Sequence, residues 1–216
     1  MLTREQFLPH EMRIVAALRM QGASDEQVIV RVKSENLFQY PTERMVANRA
    51  TVCLRRFDAM VPTDAACAVR GIDSNIAVEA VSSLTRLMAS GTPTQADQAI
   101  FYSMICRYDI VRELVLVEVG ERLQNFDYAF TAVDLNAFMT RFTTEYPDAA
   151  RWTEATVKRI KGSLRQTLRH AGLIGQGMGP ESERLSPLFL DSDVERALVQ
   201  LGEQSLIAAL TGRAVM

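Results

Sequence analysis

Apolar residues recur at helical spacing along most of the chain. Met12, Val15 and Leu18 share one helix face, and Gly22 follows where a helix would end. The alternation of apolar and polar residues that is typical of half-buried strands is absent before residue 125. This pattern predicts that the first half of the chain is a bundle of α-helices.

Helix start and stop signals divide this pattern into separate elements. Ser24 is followed three positions later by Gln27, as in a capping box, and Thr42, Thr131 and Thr153 can each cap the start of a helix. The predicted helices cover residues 9–21, 24–36, 42–60, 63–70, 74–90, 94–107, 109–124, 131–146 and 153–171, followed by two shorter helices between Ser192 and Gly212.

Residues 131–190 show a different order: helix, turn, helix, short strand, loop and short strand. This is the order of a winged helix-turn-helix, in which the second helix can enter the major groove of DNA. Leu173 and Ile174 would form the first strand and Leu188–Leu190 the returning strand. Residues 175–187 would then form the wing.

The fold class and the domain organisation follow from these elements. A chain of 216 residues is long enough for one large helical domain or two smaller ones. We predict an all-α protein with an N-terminal helical bundle over residues 1–125. A winged helix-turn-helix-like subdomain with a short β-hairpin would occupy residues 131–216.

The predicted helix over residues 153–171 carries an apolar stripe and a basic stripe. At about 100° per residue, four cations align beside the apolar residues of this helix; we name them the basic stripe: Lys158, Lys161, Arg165 and Arg169. Arg151 and Arg159 add two more, and Glu154 is the one acid between Arg151 and Gly172, so the local charge is +5. One-sided positive charge is what a surface that follows DNA phosphates requires, so we predict that these six cations contact duplex DNA.

The proposed wing argues against this interpretation. It carries Glu181 and Glu183 with Arg184 as the opposing cation, and residues 181–203 as a whole have a charge of −4. A basic helix face can also be merely solvated, and helix-turn-helix geometry occurs in protein-binding modules. The DNA hypothesis therefore requires that the basic stripe is not paired with the protein's own carboxylates. If it is paired, an adaptor that binds proteins becomes the better interpretation.

The predicted helix that begins at Thr42 is a second candidate surface. It carries four arginines on its polar side and flanks, which are Arg44, Arg49, Arg55 and Arg56. Guanidinium groups suit phosphate and carboxylate equally well. Contact with DNA and pairing with neighbouring acidic helices both remain open for these four side chains.

Aromatic residues beside these two helices are predicted to be structural. Leu37, Phe38 and Tyr40 precede Pro41 and should pack against the entry of the second candidate helix. Trp152, directly before the basic helix, is more consistent with a core residue than with a platform for stacking bases.

Composition narrows the remaining function classes. The chain is 48% hydrophobic and 23% charged with a net charge of −2, so affinity for a polyanion has to come from a local patch. Neither an apolar run long enough to span a membrane nor a secretory signal is found, which predicts a cytoplasmic protein. Three separated cysteines indicate reduced thiols, and two histidines make a zinc site improbable.

Sequence motifs for catalysis are also missing. The glycines at residues 175–179 lack the Lys-Ser/Thr sequence of a phosphate-binding loop and predict a flexible loop. His170 has no acidic neighbour in sequence to orient it and is interpreted as a helix cap. We expect a protein that is not an enzyme and that needs no cofactor.

The segment Asn36-Leu37-Phe38-Gln39-Tyr40-Pro41-Thr42-Glu43-Arg44, followed by Asn48-Arg49-Ala50 and Leu54-Arg55-Arg56-Phe57, resembles the BrxA family of BREX (bacteriophage exclusion) defence systems. The likeness extends to residues 153–174 and to Leu185-Ser186-Pro187-Leu188. It implies a compact helical protein whose N-terminal part is similar to the NusB fold. It also implies a role in phage defence, duplex DNA binding with little sequence preference, and other BREX proteins as candidate partners. A protein-binding adaptor and a NusB-like RNA-binding protein are the alternatives.

Overall fold

A computed structural model describes residues 6–175 and 183–213. The described chain is predominantly helical, which confirms the all-α fold class. Twelve α-helices are labelled in chain order: α1 Pro9–Met20, α2 Asp25–Ser34, α3 Glu43–Met60, α4 Asp64–Arg70, α5 Ser74–Ser90, α6 Pro93–Arg107, α7 Asp109–Glu113, α8 Gly120–Gln124, α9 Ala132–Glu145, α10 Glu154–His170, α11 Ser192–Gln200 and α12 Gln204–Thr211. A π-helical turn, Leu114–Val119, joins α7 to α8, and a short 3-10 turn, Ala149–Arg151, precedes α10.

The predicted N-caps begin the helices where the sequence places them. Ser24 accepts a hydrogen bond from the backbone of Gln27, whose side chain accepts one in return from the Ser24 backbone. Thr42 and Thr153 cap α3 and α10 by accepting a hydrogen bond from the backbone N–H three residues later. Thr131 forms a second reciprocal capping box with Asp134. These bonds satisfy backbone N–H groups that have no partner within the first turn of a helix.

The chain forms two compact units that differ in extent from the predicted domain ranges. The first unit comprises Phe7–Arg107 and Leu190–Glu203, and the second comprises Met1–Gln6, Tyr108–Phe189 and Gln204–Met216. Hence α11 belongs to the first unit, whereas α7, α8 and α12 belong to the second. Hydrophobic periodicity shows that each of these helices has an apolar face, but it does not show which helix will cover that face.

Close packing explains why α12 lies with α8. Gly120, the first residue of α8, approaches Ala209 of α12 so closely that a Cβ atom on the glycine would lie 2.8 Å from the Ala209 Cβ. Leu206, Ile207 and Leu210 of α12 are buried in the same unit. In the first unit, α11 buries Val194, Ala197 and Leu198 and packs against α5 and α6.

The predicted β-hairpin is not found in the described part of the chain. Ile174 and Leu185 form an isolated antiparallel bridge, and Ala129 and Arg184 form another. Leu188, expected in the returning strand, instead donates its backbone N–H to the carbonyl of Leu210 at 2.8 Å. Residues 185–188 thus divide their backbone hydrogen bonds among several partners: Leu185 donates to Tyr128 before α9 and Ser186 donates to Leu173, each at 2.9 Å, so no continuous two-stranded ladder forms among the described residues. Most of the predicted wing, including Glu181 and the glycines after Gly175, lies outside the described residues.

The π-helical turn aligns three side chains that hold α9. Tyr146 donates to the Glu113 carboxylate at 3.3 Å, and Arg141 pairs with Glu118 at 2.7 Å. Residues five apart in an α-helix point about 140° away from each other, whereas a π-helix closes its bonds between residues five apart. Glu113 and Glu118 therefore face α9 together. Arg122 follows one turn later and pairs with Asp134 at 2.7 Å.

Candidate nucleic-acid interface

The basic stripe lies on α10, as the sequence predicts. Ile160, Leu164 and Leu168 are buried on one face of this helix. On the other side Lys158, Arg159 and Arg169 are exposed, and Lys161 and Arg165 are half-buried. Arg151 is exposed in the 3-10 turn before the helix. The structure thus places all six predicted contacts around one helix.

Two residues of the basic stripe, Arg165 and Arg169, pair with the carboxylate of Glu183. Glu183 lies within the predicted wing, and its side chain is 1% exposed. Arg165 Nε lies 2.7 Å from Glu183 Oε2, and Arg169 Nη2 donates to Oε1 of the same carboxylate. The requirement that the stripe be free of the protein's own carboxylates is therefore not met at these two positions. Sequence reasoning treated Glu183 only as a charge that repels phosphate, because nothing local shows which cations a distant loop residue will reach.

The contact between Arg165 and Glu183 is close but poorly bonded. Arg165 Nε and Nη2 and Glu183 Oε2 are buried, and none of the three atoms makes a hydrogen bond of acceptable geometry. Buried polar atoms normally have such partners, because the loss of water is otherwise uncompensated. The attraction between Arg165 and Glu183 is therefore mainly Coulombic. Arg169 keeps 47% of its side chain exposed while it holds the other carboxylate oxygen.

Lys161 contacts α9 instead of a carboxylate. Its ammonium group donates to Asn136 Oδ1 at 2.6 Å. Both residues line a groove of about 310 Å³ between α9 and α10, whose other lining residues are Met139, Thr140, Thr143 and Val157. Lys161 therefore has a neutral partner at the edge of this groove, in contrast to Arg165 and Arg169.

The remaining cations make the surface of α10 positive. Lys158, Arg159 and Arg151 have no ionic partner within the described residues. When Glu183 is counted with Glu154, six cations face two carboxylates, so the local charge is +4. This field survives the internal pairing and can attract a polyanion over roughly one Debye length, ~8–10 Å.

The arginines of α3 do not form one accessible surface. Arg56 is 0% exposed and donates to the backbone carbonyl of Phe7 at 2.9 Å, so its prediction as a DNA contact is wrong. It lies three residues after buried Cys53, and helical spacing turns it toward the core. Arg49 is half-buried and its charge acts on Tyr40, whereas Arg44 and Arg55 are exposed.

The aromatic turn before α3 is structural, as predicted. Phe38 is buried and meets Tyr40 edge to face, with ring centroids 6.5 Å apart. Asn36 holds the turn by bonding the backbone N–H and carbonyl of Tyr40. The Tyr40 hydroxyl donates to buried Glu11, and burial together with this carboxylate raises the pKa of Tyr40 above its usual value. Much of the segment that carries the family resemblance thus supports the core.

Trp152 forms part of an aromatic cluster beside α9. Its ring stacks on Phe142 at a centroid distance of 6.0 Å, and Phe142 stacks on Tyr146 at 4.2 Å. The tryptophan is half-buried. Its position fixes the approach of the chain to α10 rather than presenting a free stacking surface.

Metal-binding groups do not converge within residues 6–175 and 183–213. This part of the chain holds no cluster of three or more His, Cys, Asp or Glu side chains suited to a metal ion. Cys53 and Cys67 are buried, and burial raises the pKa of Cys53 to about 12, which keeps its thiol protonated. None of the helices described is both long and apolar enough to cross a membrane.

Comparisons with known proteins place this geometry in a family. The BrxA family model matches residues 1–202. The BREX protein BrxA of Escherichia coli O9:H4 (strain HS) is 21% identical over 127 residues, and the match spans 59% of this chain and 58% of that relative. A crystal structure of an uncharacterized protein from Magnetospirillum magneticum has a TM-score of 0.74 at 16% identity, with 98% of this chain and 97% of that chain covered, and shows that the fold is shared. Because the family model covers most of its length, the chain belongs to the BrxA family.

Proposed function

We propose that the chain is a non-enzymatic, cytoplasmic component of a BREX phage-defence system and that it binds duplex DNA with little sequence preference. The relative whose name includes BREX supports the role in a BREX system, and other BREX proteins are the expected protein partners. The single observation that carries the second part is the local charge of +4 around α10 in a chain whose net charge is −2. Contacts from lysine and arginine to phosphate position a protein on DNA without reading its sequence.

The structure refines which side chains would make these contacts. Lys158, Arg159 and Arg151 are exposed and would meet phosphates directly, with Lys161 at the edge of the α9–α10 groove. Arg165 and Arg169 would contribute less than the exposed cations do, because they share Glu183. On α3, Arg44 and Arg55 remain candidates for an auxiliary contact.

A salt titration of duplex binding tests the proposal. Each phosphate neutralised contributes roughly −0.9 to the slope of log affinity against log salt. Exchange of Lys158 for glutamate (K158E) should weaken binding of a short fluorescein-labelled duplex at every sequence tested and reduce the slope by about one contact. The matched control is R86E, the same charge reversal at an exposed residue of α5. Equal effects of K158E and R86E would remove α10 from the binding surface.

A protein-binding adaptor is the alternative, and the pairing of Arg165 and Arg169 with Glu183 favours it. An adaptor should co-purify with a BREX protein in a manner insensitive to salt, and it should not bind duplex DNA at ~100 mM salt, where a cationic patch still acts. Competition between duplex DNA and structured RNA for the protein distinguishes the DNA-binding proposal from the NusB-like RNA-binding alternative. Preference for the RNA would replace the DNA proposal.

A further inference from the structure

Glu183, Arg165 and Arg169 form one ionic cluster beside α10. A single buried carboxylate bridges two guanidinium groups that lie one helical turn apart on the proposed DNA-binding face of α10. The two arginines are still 24% and 47% exposed, so the cluster opens to solvent on the cation side. An anion that approaches this face therefore meets the arginines before it meets the carboxylate.

The bonding within the cluster is incomplete. Arg165 presents two buried nitrogens without a hydrogen-bond acceptor, and Glu183 Oε2 has no donor of good geometry. The Glu183 carboxylate holds its two oxygens in one plane at the end of a side chain that is fixed to the backbone, whereas a DNA phosphodiester presents its two non-bridging oxygens from a tetrahedral phosphorus. Two arginines suit a phosphate because each can donate in pairs. Arg165 and Arg169 are thus placed to surround one oxyanion. The Glu183 carboxylate occupies that position but leaves two nitrogens of Arg165 without an acceptor.

We infer that Glu183 is an intramolecular competitor of nucleic-acid phosphate: its carboxylate occupies the oxyanion position between Arg165 and Arg169 and thereby limits the affinity of α10 for DNA. This inference rests on the proposed function. A DNA phosphate has to share or displace the carboxylate before it gains both arginines. Removal of the Glu183 charge leaves their two positive charges available.

The E183Q variant tests the inference, because glutamine keeps the size of the side chain and removes its charge. One additional phosphate contact steepens the salt slope by roughly 0.9, which corresponds to about eightfold tighter binding at ~0.1 M salt. We expect E183Q to bind the labelled duplex more tightly by about that factor. E121Q, which removes one charge from an exposed residue of α8, is the matched control and should give a smaller gain.

A double-mutant cycle with R169Q makes the test specific. In the wild-type background Arg169 is occupied by Glu183, so R169Q should weaken DNA binding only slightly. In the E183Q background the same substitution should abolish most of the increase in affinity that E183Q produces. Non-additivity of this kind isolates the coupling of the two residues. An equal cost in both backgrounds, or an E183Q affinity no higher than that of E121Q, would overturn the inference.

The remaining outcomes also decide the matter. If wild type binds the duplex and E183Q does not bind more tightly, the inference fails and the proposed function stands; if neither binds at low salt, both fail. Circular dichroism shows whether E183Q is folded. If it is not, R169Q and K158Q are compared in the wild-type background. A smaller change of salt slope for R169Q supports the competition, and equal changes overturn it.

Discussion

At the scale of single residues, burial decides what each charged group can do. Arg56 and Arg55 are neighbours in sequence, but the first is enclosed and bound to the carbonyl of Phe7, whereas the second faces solvent. Glu11 is buried as well, and its compensation comes from the hydroxyl of Tyr40. Such bonds are retained because an unpaired buried charge destabilises the fold more than the pair stabilises it.

Exchange of Tyr40 for phenylalanine should therefore destabilise the first unit. The Glu11 carboxylate would lose its donor, and hydrogen bonds to charged groups contribute about 1.5–3 kcal/mol. Urea denaturation followed by circular dichroism measures the change in the free energy of unfolding. Y146F is the matched control, because the Tyr146 hydroxyl bonds Glu113 in a more exposed position, and its effect should be smaller. Equal losses in the two variants would contradict this account of Tyr40.

Tyr40 also makes a pH dependence predictable. Because the pKa of Tyr40 is raised in the folded protein, the neutral phenol is favoured there relative to the unfolded chain. The contribution of this group to stability is complete below about pH 10, the pKa of an unperturbed tyrosine, and declines as the pH rises through the folded value. Above about pH 10, wild type should lose more stability than Y40F does. Parallel losses would contradict the raised pKa.

At the scale of elements, glycine has opposite roles in two helices. In α8 the hydrogen of Gly120 lies against Ala209, where a methyl group would be 2.8 Å from the alanine Cβ. In α10 nothing lies within 4 Å of a Cβ at Gly162. The first glycine allows two helices to pack closely, and the second only weakens its own helix, since glycine is less favourable than alanine in a helix by about 0.8–1 kcal/mol.

Alanine substitutions at these two positions should have opposite effects. G162A should stabilise the protein by about 0.5–1 kcal/mol through helix propensity alone. G120A gains the same propensity but overpacks the contact with α12, which costs about 1–3 kcal/mol, so a net loss is expected. Differential scanning calorimetry should show a raised Tm for G162A and a lowered Tm for G120A. A raised Tm in both would mean that α12 moves aside without cost.

The sequence predicts correctly those features that depend on neighbouring residues, and it misses features that depend on residues far away in the chain. The starts of α3 and α10 were correct because Thr42 and Thr153 cap helices through bonds that span three residues. The pairing of Arg165 with Glu183 was missed because it depends on a loop residue outside α10. The helical position of Arg56 is local, but its acceptor, the carbonyl of Phe7, lies 49 residues away, and that bond was missed. The hairpin was wrong for a similar reason: Leu188 found its acceptor in α12.

At the scale of the whole molecule, the chain passes between its two units more than once. The last described helices belong to different units: α11 packs with α5 and α6, and α12 packs with α8 and the π-helical turn. A simple division at residue 125 would therefore remove α11 from the first unit, and α7, α8 and the π-helical turn from the second. Domain boundaries read from linkers fail in such a topology, because the spatial neighbours are separated by about half the chain.

A chain that ends after Glu203 tests the role of α12. It should unfold at a lower temperature than the full chain, because Leu206, Ile207 and Leu210 no longer cover the π-helical turn and α8. It should also bind the dye ANS, which reports exposed apolar surface. Circular dichroism melting and ANS fluorescence measure these effects. An unchanged melting temperature without dye binding would mean that α12 is dispensable for the second unit.

The placement of α11 has a consequence for biosynthesis. The apolar side chains of α5 emerge from the ribosome early, yet the helix that completes their burial is translated more than a hundred residues later. At about 5–20 residues per second, this interval lasts roughly 5–20 seconds, during which the nascent first unit remains incomplete. Holding chaperones that recognise apolar surface would have their opportunity in that interval.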